Sequence, residues 1–156
     1  MREALRKLLL RRQTRLHWRD EDGARRDALA AAVAKIDIAA VVVVGMPVKK
    51  TKQERARRQC METLLHHLGE LGVSSVWLES RTQSLNKADA KMVLALRGKK
   101  LIRPQLRVET ARPLDEPMLW VPDIVAGAVG AARDGKEARW LDTLQHTVTQ
   151  IEITLG

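Results

Sequence analysis

The chain has 156 residues, of which 45% are hydrophobic and 30% charged, so disorder is excluded as its main state and one folded domain is expected. Lys and Arg outnumber Asp and Glu by 28 to 19, and the net charge of +9 favours a polyanionic partner such as nucleic acid or an anionic surface. A single cysteine, Cys60, excludes a disulfide framework, and neither a membrane-spanning apolar run nor a secretory signal is found, so we expect one cytoplasmic domain over residues 1–156.

The first third of the chain predicts two helices and two strands. Leucines at helical spacing predict an amphipathic helix over residues 2–12 with a basic outer face, and "TRLHW" at 14–18 predicts a short strand. Early acids, central alanines and a late lysine predict a helix over residues 22–35. The β-branched run at 36–44 then predicts a strand covered on both faces, which Gly45 and Pro47 end.

The rest of the chain continues this alternation. Apolar residues at helical spacing over 50–71 predict the longest helix, with Cys60 as a buried thiol. The elements that follow are predicted as a strand at 73–80, a helix at 81–98 with Ser84 or Asn86 as N-cap, a strand at 106–110, helices at 119–133 and 137–148, and an edge strand at 149–155. Small residues from Gly127 to Ala132 predict a helix that approaches a neighbouring element closely. The pattern indicates an α/β domain with a largely parallel sheet flanked by helices.

Two carboxylates stand where an α/β fold would place a ligand site. Asp123 follows Pro122 in the first turn of a predicted helix, where the helix dipole stabilises a negative charge. Glu79 ends an apolar strand, and the carboxyl ends of parallel strands face the ligand crevice. Glu79 and Asp123 are therefore the candidate catalytic residues and metal ligands, and Mg²⁺ or Mn²⁺ would suit their oxygen atoms. The alternatives are that Asp123 is only a helix N-terminal charge and that Glu79 pairs with Arg81 at the surface.

A strongly basic stretch, "KKTKQERARR" at residues 49–58, has six basic residues and one acid at the start of a predicted helix. Each cation near the helix N-terminus interacts unfavourably with the helix dipole and destabilises the helix by a few tenths of a kcal/mol. A bound phosphate would offset this cost. The candidate contacts to nucleic acid are Lys49, Lys50, Lys52, Arg55, Arg58 and Arg81, and a solvated basic surface is the alternative. His66 and His67 are adjacent, so they cannot form a helical zinc pair, and the four scattered tryptophans are expected in the core.

The second half of the chain resembles a known family. The residues are "SVWLESR", a helix, the strand "LRVET", and then "EPMLWVPDIVAGAVGAAR". This order is similar to the C-terminal part of a bacterial domain-of-unknown-function family with a ribonuclease-H-like fold, whose last helix begins Leu-x-x-Ala-Asp-Leu-x-Ala-Gly. The resemblance covers roughly residues 41–133, and Pro122 stands where the family motif has alanine.

The resemblance implies a metal-dependent nuclease acting on nucleic-acid phosphodiesters. Glu79 would be its central-strand acid, Asp123 its last-helix acid, and Glu54 or Glu62 a third acid. The family's first strand, with its Asp-Glu-Ser motif, does not precede "MREALRKLLL", which implies an N-terminally truncated domain. Either the gene is longer, or the domain has decayed to an inactive form, or a partner chain completes it.

Three functions stay open from the sequence: a two-metal nuclease, a non-catalytic basic domain that binds nucleic acid, and a structural remnant or subunit. Strands missing from the sheet would leave an open edge, which chains commonly cover by pairing with another chain. The sequence therefore also predicts a homodimer through that edge.

Overall fold

Helices and strands alternate along most of the chain, and the computed structural model describes all residues, 1–156. In chain order the elements are α1 (Arg2–Arg6), α2 (Gly23–Ala34), β1 (Ala40–Met46), α3 (Gln53–Glu70), β2 (Ser75–Glu79), α4 (Gln83–Gly98), β3 (Arg107–Ala111), α5 (Trp120–Arg133), α6 (Arg139–Leu144) and β4 (Val148–Thr154). Short 3₁₀ helices lie at Trp18–Asp20, Lys50–Lys52 and Pro117–Leu119. The predicted mixed α/β class is confirmed.

The four strands form two separate sheets of two strands each, β1 with β4 and β2 with β3. β2 and β3 pair in parallel, from Ser75 opposite Arg107 to Glu79 opposite Ala111. β1 and β4 also run parallel, because hydrogen bonds join Ala40 N–H to the Thr147 carbonyl and Leu155 N–H to the Met46 carbonyl at opposite ends. The predicted parallel pairing with flanking helices is confirmed, but one continuous sheet is not formed, since β1 and β2 do not pair.

The chain divides into two compact units, and the positive charge is concentrated in one of them. The first unit comprises Met1–Val42 and Arg112–Thr149, and the second comprises Val43–Ala111 and Gln150–Gly156. The first holds 14 Lys and Arg against 12 Asp and Glu, whereas the second holds 14 against 7. Most of the net charge of +9 therefore belongs to the second unit.

The core of the first unit is built from one face each of α2, α5 and α6. Its most deeply buried side chains include Leu29, Val33, Ile124, Val125, Ala128 and Leu144, each at most 2% exposed. Helix α2 starts where the sequence predicts it, because the Asp22 side chain caps it by accepting the Arg25 N–H at 2.9 Å. In α5 the apolar run 120–133 is confirmed as a docking surface for this core.

An aromatic cluster closes the first unit around Trp18. The Trp18 and Trp140 rings meet edge to face at 5.1 Å, and the Arg26 guanidinium lies 5.0 Å from the first ring and 5.4 Å from the second. Gly127 of α5 faces the Trp18 ring so closely that a Cβ atom there would lie within 3.0 Å of ring atoms. The predicted close approach of α5 is therefore confirmed at Gly127, but nothing lies within 4 Å of a Cβ at Gly130.

The core of the second unit lies between one face of the β2–β3 sheet and helices α3 and α4. Buried residues of the helices and of the segment before β3 are Met61, Leu65, Met92, Val93, Leu96, Ile102 and Leu106. Val76, Leu78 and Val108 supply the sheet side of this core, in agreement with the two-residue period of a strand. The alternate residues of β2 are exposed, and Trp77 among them is 54% exposed, so the prediction of four core tryptophans is wrong for this one.

Several local predictions differ from the structure for identifiable reasons. The first helix ends at Arg6 instead of residue 12. Hydrogen bonds between residues three apart replace the helical ones at Leu8 and Leu9, and Arg12 adopts a left-handed φ of 72°. The segment at 14–18 forms no strand, and Trp18 begins a 3₁₀ helix. Thr82, not Ser84 or Asn86, caps α4, while the Asn86 side chain accepts the Arg81 N–H at 2.7 Å. Cys60 is half-buried, not fully buried, and burial raises the pKa of its thiol.

None of the helices has both the length and the hydropathy that a membrane crossing requires.

Candidate nucleic-acid interface and the acidic residues

The basic stretch at residues 49–58 lies in the second unit, where the chain passes from β1 into α3. Pro47 follows the strand, the 3₁₀ helix Lys50–Lys52 comes next, and α3 then begins at Gln53 without a side-chain cap. Five cations of the stretch are exposed and form no ion pair with a carboxylate of the second unit, namely Lys49, Lys50, Lys52, Arg55 and Arg58. We call these five residues the basic surface.

Part of this basic surface surrounds a small pocket of about 200 Å³. Its lining combines three cations, Lys49, Lys52 and Arg55, with the apolar residues Pro47, Ala56 and Leu155, and with Gln59 and Gly156. Lys50 and Arg58 are exposed but do not line it. Cationic groups around a recess with an apolar side are suited to an anion that carries an organic group.

Arg57 and Arg81 differ from the exposed cations of the basic surface, because both bind the buried carboxylate of Asp89. Asp89 on α4 is 2% exposed, and Arg57 Nη1 and Arg81 Nη2 donate to its Oδ1 at 2.8 and 2.6 Å. Arg57 Nη2 also donates to the Asp89 Oδ2 at 3.3 Å. Burial alone would raise the pKa of Asp89, but the hydrogen bonds from Arg57 and Arg81 together outweigh it, so the pKa lies below its ordinary value.

Glu54 completes this ion-pair network, which we call the Asp89 network: Glu54, Arg57, Arg81 and Asp89. Arg81 Nη1 and Nη2 each donate to a different Glu54 oxygen at 3.0 Å, and the bond from Arg81 holds the Glu54 pKa below its usual range. Arg81, a predicted phosphate contact, is thus bound to two carboxylates inside the unit. Glu54, a candidate third acid, is likewise bound to an arginine instead of standing beside another acid.

Asp89 and Arg57 were not singled out from the sequence. One signal was available, since Asp89 occupies an apolar position of α4 in the series Leu85, Asp89, Met92, Val93 and Leu96. A carboxylate at a core position of a helix requires a buried partner. The sequence does not say which of the many arginines supplies it.

Asp123 lies in the first turn of α5, as predicted, and is already engaged. Its Oδ2 accepts the backbone N–H of Trp18 at 2.8 Å, and His17 Nδ1 lies 3.5 Å from the same oxygen. The carboxylate therefore fastens the start of the 3₁₀ helix at Trp18 to α5 within the first unit. This contact supports the alternative in which Asp123 is structural.

Glu79 is the last residue of β2 and belongs to the second unit, opposite Ala111 of β3. Neither unit by itself contains both Glu79 and Asp123. No group of three or more His, Cys, Asp or Glu side chains is arranged to hold a metal ion. The Mg²⁺ or Mn²⁺ site at Glu79 and Asp123 therefore stays a prediction.

No protein-family model, no curated protein and no solved structure matches this chain. The resemblance to the ribonuclease-H-like family therefore stays a prediction as well. The basic surface and the carboxylates themselves are the features from which a function can be inferred.

The hydrogen bond to Trp18 predicts how Asp123 variants behave. Asp123→Asn keeps an oxygen that can accept the Trp18 N–H, so it should cost under about 1 kcal/mol of unfolding free energy, whereas Asp123→Ala should cost about 1 to 2 kcal/mol. Urea denaturation of the three proteins measures the difference. Equal stability of the alanine variant and the wild type would contradict the fastening role.

The same variants decide the metal question. A metal bound by the native state raises stability by RT ln(1 + [L]/Kd). If the site exists, the melting temperature of the wild type should rise with Mn²⁺ concentration, whereas that of Asp123→Asn or Glu79→Gln should not. A wild-type melting temperature that Mn²⁺ leaves unchanged refutes the metal site in this chain.

Proposed function

We propose that this chain binds nucleic acid through the phosphate backbone, using the basic surface at residues 49–58. The observation that carries the proposal is the set of five exposed cations without ion-pair partners at one place in the second unit. Arg57 and Arg81 of the same unit bind carboxylates, whereas these five cations lie within ten residues of one another and bind none. Phosphate neutralisation is the main source of affinity in binding that does not depend on sequence.

The electrostatics of the unit support the same proposal. The second unit has twice as many basic as acidic residues, 14 against 7, so its field attracts a polyanion. At the start of α3 the cations oppose the helix dipole, and no side chain caps the first N–H groups. A phosphate at this place would relieve both unfavourable features.

Hydrolysis is not part of this proposal. Asp123 is hydrogen-bonded to Trp18, and Glu54 is bound to Arg81, so both carboxylates already have partners. The nuclease implied by the family resemblance depends on the outcome of the Mn²⁺ melts. Binding without catalysis requires only the cations.

The test replaces four cations, Lys50, Lys52, Arg55 and Arg58, by glutamine. We expect more than about tenfold weaker binding to a labelled single strand at moderate salt. The dependence of log affinity on log salt should also flatten by roughly 0.7 units for each phosphate that the variant no longer neutralises on a single strand. Fluorescence anisotropy over a salt series measures both quantities.

The matched control removes the same charge elsewhere in the second unit. Lys87, Lys91, Lys99 and Lys100 are also exposed, and their replacement by glutamine lowers the net charge equally. The control should bind more tightly than the basic-surface variant and keep more of the salt slope. An equal loss of affinity in the two variants would show that only the overall charge matters, and it would contradict binding at the basic surface.

A further inference from the structure

The five exposed cations of the basic surface divide into two sets according to the pocket. Lys49, Lys52 and Arg55 line it, whereas Lys50 and Arg58 do not. Three positively charged residues thus line a recess of about 200 Å³, and none of them lies within ion-pair distance of a carboxylate of the second unit. Like charges around one recess repel each other, so an anion of more than one charge is the ligand that relieves most repulsion.

The pocket has an apolar lining as well as cationic residues. Pro47, Ala56 and Leu155 form its apolar lining, and Ala56 is only 8% exposed. About 200 Å³ gives room for one phosphate and the sugar attached to it. The volume is therefore sufficient for the end of a strand.

The charge of the three cations favours a terminal phosphate over an internal one. An internal phosphodiester carries a single negative charge, whereas a phosphomonoester carries about −1.5 to −2 near neutral pH and offers three strongly accepting oxygens. Three cations match the terminal group better than the internal one. We propose that this pocket holds the terminal phosphate of a nucleic-acid strand, with the attached sugar against Pro47 and Leu155, an inference that rests on the proposed function.

A free nucleotide presents the same phosphomonoester chemistry. The two cations outside the pocket, Lys50 and Arg58, distinguish the sources, because a strand, unlike a free nucleotide, has further phosphates that exposed cations of the same stretch can neutralise. The occupant we assign is accordingly a strand end, and a mononucleotide is a competing outcome of the test.

The experiment compares a 12-nucleotide DNA strand that carries a 5′-phosphate with the same strand carrying a 5′-hydroxyl, both labelled at the 3′ end. A second pair carries the label at the 5′ end and differs in the 3′-phosphate. We expect the wild type to bind the phosphorylated member of at least one pair about tenfold more tightly. This preference should be abolished in a triple variant that combines Lys49→Gln, Lys52→Gln and Arg55→Gln.

The matched control combines Lys50→Gln with Arg58→Gln. It should weaken both members of a pair by the same factor and keep the preference, because the pocket is intact. Thermal melts of each variant show that exposed substitutions leave the fold unchanged, so loss of the preference reports on binding.

The unfavourable outcomes separate the two proposals. Equal binding of phosphorylated and unphosphorylated strands, or a preference that survives the triple variant, overturns the terminal-phosphate pocket and leaves the basic surface standing. Thymidine 5′-monophosphate that competes at the same concentration as the phosphorylated strand overturns the assignment to a strand end. No binding of any strand at low salt overturns the proposed function and this inference with it.

Discussion

Gly127→Ala is expected to lower the unfolding free energy by about 2 to 3 kcal/mol, although alanine is ordinarily the better helix former. The added methyl would lie within 3.0 Å of three atoms of the Trp18 ring. Trp18 has little room to retreat, since it is 7% exposed and packs against Trp140 and Arg26. Either the ring or the helix must shift, and the aromatic cluster then packs less well.

The control for this prediction lies one turn further along the same helix. A Cβ at Gly130 meets nothing within 4 Å, so Gly130→Ala should raise stability by about 0.5 to 1 kcal/mol through helix propensity alone. Urea denaturation followed by tryptophan fluorescence and by circular dichroism measures both variants. Changes of the same sign in the two variants would contradict the close contact at Gly127.

Asp89→Asn is the second change with a large expected effect, about 2 to 3 kcal/mol of destabilisation. Removing the charge leaves Arg57 and Arg81 facing each other across a neutral side chain that is 2% exposed. The cost stays below that of a fully buried pair, because the two arginine side chains are 33% and 19% exposed and keep part of their hydration. The substitution tests whether α3, α4 and the segment before α4 are joined by the Asp89 network.

A surface ion pair supplies the comparison. Arg112 Nε lies 2.7 Å from Asp115 Oδ2, but both side chains are more than half exposed. Asp115→Asn should therefore cost less than about 1 kcal/mol. Similar losses of stability from the Asp89 and Asp115 substitutions would show that burial adds nothing to the Asp89 network.

The lowered pKa of Asp89 gives this prediction a pH dependence. Because the carboxylate titrates at lower pH in the folded chain than in the unfolded chain, its stabilising contribution is complete above the ordinary value of 3.8. It is lost as the pH falls through the folded pKa. The stability difference between wild type and Asp89→Asn should thus be constant near neutral pH and shrink below about pH 4. A difference that grows on acidification would contradict the direction of the shift.

Local signals in the sequence determined most helices and strands. The apolar spacing over 50–71 corresponds to α3 at Gln53–Glu70, and the run at 119–133 corresponds to α5 at Trp120–Arg133. These patterns depend on neighbours three or four residues apart, so the chain itself contains the information. The exposure of the basic stretch could also be predicted from the sequence, because six cations within ten residues cannot be buried together.

Only the tertiary structure decided which partners the special residues meet. Trp18 N–H lies 105 residues from Asp123 along the chain, and Arg57 lies 32 residues from Asp89. Gly127 and Gly130 are alike in sequence, yet one faces a tryptophan ring and the other faces open space. The strands likewise predicted parallel pairing but not its division into two sheets. Composition and spacing set the propensity of each segment, whereas contacts between distant segments are chosen by how the whole core packs, and no local pattern records that choice.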